Sequence, residues 1–177
     1  MLISGMRCKD NALTLLVNDL PSGITMAEVG CFAGESTAIF LNSGKINELF
    51  AIDPWEKQFV DPNDDMASSL NAMYSKIRCA EQSFEERVKG KSVIKLKMLF
   101  SEAVKLLPML DFIYIDADHR YESVKADIKL ALTRLKPNGI IAGHDYYNQF
   151  EGVIKAVNET LGKPDNVYAD TSWIKRL

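Results

Sequence analysis

Two sets of residues in this sequence have types and spacings suited to chemistry. The first is the run Glu28-Val29-Gly30-Cys31-Phe32-Ala33-Gly34-Glu35-Ser36-Thr37, where an apolar stretch gives way to a glycine-punctuated turn and then to helical period. Gly30 lets the backbone turn sharply off a strand tip, and Gly34 lets the following helix and its free N–H groups approach a ligand closely. A carboxylate at Glu28 would repel a pyrophosphate yet accept hydrogen bonds from an ammonium group, so the turn suits a zwitterion. Asp53 ends the next apolar run, where an acid can take both hydroxyls of a ribose. Glycine turn, first acid and second acid together predict a site for an adenosine joined to an amino-acid moiety.

The second set is Asp116, Asp118 and His119, followed by His144 and Asp145. His119 and His144 are the only two histidines of the chain. An imidazole near its ordinary pKa can take a hydroxyl proton at neutral pH, which makes both candidate general bases. Asp118-His119 has a structural alternative, with Asp118 as the N-cap of the next helix. His144-Asp145 leaves a buried strand with no evident structural duty.

The elements that must position these residues alternate between short apolar runs and longer stretches of helical period, the signature of βαβ units feeding a mostly parallel sheet. A leading helix near Asn11–Leu20 precedes strand Ile24–Val29, and Gly34–Leu41 begins the crossover helix. Asn47–Ile52 is the second strand. A polar stretch with Pro62 and Asn63-Asp64-Asp65 leads into a helical pattern over Met66–Val88, with Leu70, Met73, Tyr74 and Ile77 on one face. Ser92–Met98 is the third strand, Ser101–Leu107 a short helix capped by Ser101, and Asp111–Ile115 a central fourth strand. Val124, Ile128, Ala131, Leu132 and Leu135 recur at helical spacing until Lys136-Pro137-Asn138-Gly139 stops them. Ile140–Gly143 is strand five, Glu151–Leu161 a helix, and Asn166–Ala169 with Ser172–Ile174 a tight and therefore antiparallel pair. The prediction is a three-layer, Rossmann-like α/β fold with a seven-stranded, mostly parallel sheet, its last strand antiparallel and helices on both faces. Residues 1–177 read as a single domain, with an N-terminal helix in 1–23 and a helical insertion near the cleft in 54–90.

Bulk properties narrow the function classes. With 24 acidic against 21 basic side chains, the surface field does nothing to draw nucleic acid or anionic lipid. Arg7, Lys9 and Asp10 interrupt the N-terminus, and no stretch nears the roughly 18 apolar residues of a membrane span, so a cytoplasmic protein is expected. Cys8, Cys31 and Cys79 lack paired metal spacing and read as reduced thiols. The expected partner is a small molecule, not nucleic acid or membrane, and a homodimer is compatible with the sequence.

Glu28 to Thr37, Asp53-Pro54-Trp55, Asp111 to Tyr121 and Lys136 to Tyr146 resemble class I S-adenosylmethionine-dependent methyltransferases. The nearest resemblance is to small-molecule O-methyltransferases of the family 24 type, whose strand five ends in Gly-His-Asp-Tyr. The resemblance implies S-adenosylmethionine as cofactor. Glu28, Gly30 and Gly34 would line its methionine end, Asp53 the ribose, and Trp55 with Phe100-Ser101 the adenine, with Cys31, Phe32, Ser36, Thr37, Pro54 and Asp116 completing the cofactor-binding candidates. Phe32 stands where many class I members carry glycine, and catechol-type members place an aromatic there. By the same resemblance Asp116 and Asp145 would hold a divalent cation such as Mg²⁺ beside the cofactor. Tyr146 replaces the usual amide ligand, so His144 or Asn148 would supply the third. Tyr121, Tyr146, Tyr147 and Phe150 could wall a planar substrate. A nicotinamide oxidoreductase is the weaker alternative, because Gly30 and Gly34 lack G-x-G-x-x-G spacing. A non-catalytic cofactor-binding module is another. Base methylation is disfavoured, since Ala117-Asp118-His119 carries no Pro-Pro-aromatic motif.

Overall fold

The structure is a computed structural model that describes the backbone of residues 7–56 and 70–177 and the side chains of 12–56 and 79–177. In chain order the elements are α1 (Arg7–Asn18), β1 (Ile24–Val29), α2 (Glu35–Asn42), β2 (Ile46–Ile52), α3 (Leu70–Val88), β3 (Val93–Leu96) and α4 (Phe100–Ala103). They continue with β4 (Leu110–Ile115), α5 (Tyr121–Leu132), β5 (Leu135–Gly143), α6 (Glu151–Leu161), β6 (Asn166–Val167) and β7 (Trp173–Arg176). The sheet order is β3-β2-β1-β4-β5-β7-β6. Pairing is parallel from β3 through β5; β7 runs antiparallel to β5, and β6 antiparallel to β7. The predicted three-layer, Rossmann-like architecture is the one observed.

The apolar runs of β1 and β4 lie in the middle because helices cover both their faces. One core packs α4, α5 and α6, through Phe100, Val124, Ile128, Val153 and Val157, on β-residues such as Ile113 and Ile115. The other packs Leu16, Val17, Phe40 and Phe84 from α1, α2 and α3 on Met26, Phe112 and Tyr114. Phe40 meets Phe112 and Tyr114 edge-on, with ring centroids 5.8 Å and 5.1 Å apart. Among the described residues no helix is long and apolar enough to cross a membrane.

Several boundaries differ from the sequence expectation. Leu135 shares the helical spacing of α5, but the helix ends at Leu132 and Leu135 opens β5 opposite Leu110. The turn at Thr133-Arg134 accounts for this, since the Arg134 carbonyl accepts the Leu110 N–H at 2.7 Å and starts the ladder there. Ser101 does not cap α4. Leu99 holds the extended cap position while Ser101 is exposed in the first turn, because burial of Phe100 in the core sets the helix start. Asp118 is not the cap of α5, a place held by extended Arg120; its carboxylate instead accepts the Arg120 N–H at 2.8 Å and the Arg120 guanidinium. The β6–β7 connection is longer than expected, running from Tyr168 to Ser172. Pro62, the Asn63–Asp65 cluster and the first residues of the 66–88 helical pattern lie outside the described residues, as do the side chains of Cys8, Leu70, Met73, Tyr74 and Ile77.

Candidate active site

The tips of β1 and β2 are paired, Val29 with Ile52, so Glu28 and Asp53 flank one turn. Gly30 and Gly34 both take positive φ, 88° and 82°. A Cβ on Gly30 would stand 2.0 Å from the Asp116 carbonyl oxygen, so glycine is what brings the β4 tip against this turn. Gly34 caps α2 without any side-chain cap bond, leaving the helix N-terminus to outside acceptors. Its missing Cβ also makes room for Phe84 of α3, whose ring would lie 3.0 Å away, a packing duty beyond ligand approach.

Glu28 differs from expectation. It does not present an open carboxylate: the side chain is fully buried, Ser36 donates to Oε1, and Thr37 donates to Oε2 at 2.5 Å. Burial pushes its pKa up to about 7 against the pull of those two hydroxyls. Glu28 therefore anchors the first turn of α2, and Ser36 and Thr37 face inward to it. Cys31 is buried too, its thiol directed at the Glu28 and Ile52 carbonyls, and burial raises its pKa well above the ordinary value, the condition of an inert thiol.

Asp53 accepts the Phe32 N–H at 2.9 Å and the Trp55 N–H at 2.7 Å, while the Trp55 indole N–H donates to the Phe32 carbonyl at 2.7 Å. Phe32 is thus clasped from both sides with φ 42°, and the residue is 36% exposed. With the Cys31 N–H also directed at it, Asp53 has backbone donors for three of roughly four lone-pair sites and keeps capacity for one more. Burial raises its pKa against those backbone bonds. Trp55 is buried rather than open, tilted on Phe84 at 4.9 Å with the Lys95 ammonium 4.8 Å from its ring. Pro54 is half-buried beside it.

The second set converges at the neighbouring tips. Ile115 pairs with Gly143, and the ladder continues past both strands through Asp116 N–H to the Val29 carbonyl (2.8 Å) and His144 N–H to the Ile115 carbonyl (3.1 Å). Successive strand side chains point to opposite faces. Asp145 breaks that alternation with φ 62°, and the His144 ring meets its neighbour's carboxylate, Nδ1 to Oδ1, at 3.0 Å. His119 Nε2 lies 2.8 Å from Asp145 Oδ2, so one carboxylate orders both imidazoles. Asp116 Oδ1 is 4.0 Å from His144 Nδ1. Burial alone would lower the His144 pKa, but the Asp145 bond and the Asp116 charge outweigh it and lift it to about 9. Asp145 is burdened by burial as well, yet the bonds from His119 and His144 hold it well below the usual carboxylate range. Burial pushes Asp116 up against the pull of His144. One donor atom each from Asp116, His144 and Asp145 lies within 4.8 Å of the others, a grouping able to hold a metal ion.

Of the aromatics, Phe150 stacks on His119 at 4.4 Å and Tyr147 stands edge-on to Phe150 at 5.3 Å. Tyr121 points elsewhere, held by Glu159 and flanked by the Lys125 and Lys155 ammonium groups. Tyr146 bonds Asn158 at 3.0 Å. Gly152 lets α6 press on the His119-to-Tyr121 backbone, where a Cβ would fall 2.8 Å from the His119 carbonyl oxygen.

Sequence reasoning passed over the β6–β7 turn, which lies near the cluster. Asp170 is buried and accepts the Ser172 N–H at 3.1 Å and hydroxyl at 3.0 Å. With that hydroxyl proton committed, Tyr114 donates to Ser172 Oγ at 3.1 Å. The Asp170 charge acts on both Asp116 and His144. The Thr171 carbonyl accepts the Tyr146 N–H, and Trp173 lies against Gly143. The signal was present in Asp170-Thr171-Ser172, an Asx-capable turn, but only the antiparallel return of β7 carries it to the site.

Comparison with known proteins gives consistent results. A curated protein of Acanthamoeba polyphaga mimivirus, "Uncharacterized protein R132", is 26% identical over 147 residues, covering 78% of this chain. This chain spans only 59% of that relative's length. The N-methyltransferase NodS from Bradyrhizobium japonicum WM9 has a similar fold over 95% of this chain and 93% of its own, at TM-score 0.60 and 14% identity. SMU.1697c from Streptococcus mutans, solved in complex with SAH, is similar over 93% of this chain and 95% of its own, at TM-score 0.61 and 13% identity. Residues 27–146, more than half of the chain, match the family model described as "Methyltransferase domain", and the protein belongs to that methyltransferase family.

Proposed function

We propose that this protein transfers the methyl group of S-adenosylmethionine to a hydroxyl oxygen of a small molecule, with Asp116, His119, His144 and Asp145 at the reaction centre. The observation that carries this reading is contiguity. The Asp116 carbonyl lies against the glycine turn at Gly30, while the Asp116 side chain joins the His-Asp-His cluster, so the proposed cofactor cradle and the polar cluster adjoin through one residue. The uncapped start of α2 and the Gly30–Gly34 backbone fit an aminoacyl group, and the remaining lone-pair capacity of Asp53 fits a ribose. Phe100-Ser101 and Trp55 would flank the adenine, with Phe100 and Trp55 buried and Ser101 the exposed polar member. Bound there, S-adenosylmethionine supplies an electrophilic methyl group.

Asp145 orders the rings of both histidines, and Phe150 lies over the His119 ring, so that His119 can take the hydroxyl proton with little reorganisation. Asp116 and Asp145 would hold a divalent cation such as Mg²⁺ through their carboxylate oxygens, with His144 as a third ligand only for a softer divalent ion, and the ion would lower the pKa of a substrate hydroxyl. Holding nucleophile and methyl group in line is worth up to roughly 7–11 kcal/mol, the larger share of the acceleration.

The test pairs binding with turnover. Calorimetry should detect S-adenosylmethionine and not NAD, and methyl transfer to a panel of small hydroxylated acceptors should collapse in D116A and D145A. Binding of NAD alone would overturn the cofactor reading. Full turnover in both variants would remove the cluster from the chemistry, and cofactor binding with no transfer to any acceptor would favour a non-catalytic module.

A further inference from the structure

Beneath Asp116 and His144 lies a small cavity of about 10 Å³, walled by Ile115, Val124, Val153 and Trp173 below and by the 116–119 loop above. Trp173 is 1% exposed, and its indole Nε1 has no hydrogen-bond acceptor among the described residues. Its position is built in. A Cβ on Gly143 would fall 2.9 Å from that same nitrogen, so glycine at the β5 tip is what lets the indole lie flat there. Buried N–H groups left without an acceptor are costly, and nearly all are satisfied by protein or by ordered water. The apolar side chains of the wall offer nothing to accept the proton, and no backbone carbonyl of the described residues bonds it. That space just admits the centre of one water-sized sphere, and the upper wall supplies further polar residues for such a water in Asp116, Asp118, His119 and His144.

We infer that Trp173 is a positioning residue whose indole N–H holds one ordered water in this cavity, tying the floor of the site to the loop that carries Asp116 and His119. The consequence for catalysis rests on the reading above, because only a reaction centre at that loop gains from holding it still. The water itself does not depend on that reading.

Solution NMR of the ¹⁵N-labelled protein tests it. Trp55 and Trp173 are the two tryptophans, so W173F assigns the two indole signals. The Trp173 indole proton should show a nuclear Overhauser contact to a long-lived water. Replacing Trp173 by its benzothiophene analogue keeps the ring shape and removes only the N–H. In that variant the amides of residues 116–119 should exchange with deuterium at least about threefold faster while the fold is retained. An indole proton without water contact, or unchanged exchange at 116–119 in the analogue, overturns the proposal. Mn²⁺ added afterwards keeps the two readings apart. A water contact without paramagnetic broadening of the Trp173 signal counts against the Asp116-His144-Asp145 metal reading and leaves this one standing.

Discussion

Replacing Glu28 by Gln should flatten part of the pH dependence of folding stability. The carboxyl is fully buried, and its pKa rises from an ordinary 4.5 to about 7. A raised folded-state pKa means the native state keeps the proton longer than the unfolded chain. Stability from this group is therefore fully present below pH 4.5, declines as pH climbs through the window to 7, and is level above it. At 1.36 kcal/mol per unit the decline is about 3 kcal/mol, an order-of-magnitude figure. Gln has the same shape and no proton to lose. Its carbonyl can accept from one of Ser36 and Thr37, while its amide obliges the other hydroxyl to turn round, a pH-independent cost of about 1 kcal/mol. The stability of the wild type minus that of E28Q should thus fall by about 3 kcal/mol between roughly pH 4 and pH 8. Urea denaturation followed by circular dichroism across that range measures it. Asp127, half-buried beside Asp118 and also raised to about 7, titrates in the same window, but it is common to both proteins and cancels. A difference that stays constant with pH would mean Glu28 ionises normally in the folded protein and would refute the desolvation argument.

Further outcomes are expected elsewhere in the site. Gly30→Ala should destabilise by more than the roughly 1–2 kcal/mol of left-handed strain, since its Cβ would fall 2.0 Å from the Asp116 carbonyl oxygen. Gly34→Ala should cost less, because the nearest atom is a Phe84 ring carbon at 3.0 Å; thermal melts that rank the two the other way would be decisive against this. Phe84→Ala should cost about 3–5 kcal/mol and weaken S-adenosylmethionine binding, because Phe84 is fully buried between Trp55 and the glycine turn; calorimetry and denaturation read both. In metal-free buffer, Asp145→Asn should bring the His144 pKa down from about 9 towards 6.5. The stability that the raised His144 pKa gives the wild type is fully present below pH 6.5 and lost as pH rises through 9; the variant should lack that loss, and imidazole NMR titration would detect a His144 that still titrates near 9.

Much of this protein is legible without coordinates. The alternation of apolar runs and helical periods carries the succession of elements, the mostly parallel pairing, the central fourth strand and the position of the glycine turn, because backbone periodicity and the apolar run of β4 are local consequences of residue type. The same reasoning places Asp116 and His144-Asp145 at adjacent strand tips, since a parallel ladder aligns strand ends. Helical spacing misassigned Leu135, whose apolar side chain serves a strand as well as a helix. Which groups meet which is a different matter. Glu28 turns inward to Ser36 and Thr37, Asp145 curls in a left-handed conformation to join two histidines, and Trp173 returns on an antiparallel strand to close the floor. Those partnerships depend on side-chain direction and long-range return of the chain, and burial then sets the pKa values. Residue type and order therefore determined where the polar groups gather, while tertiary packing decided which face water and which are held by one another.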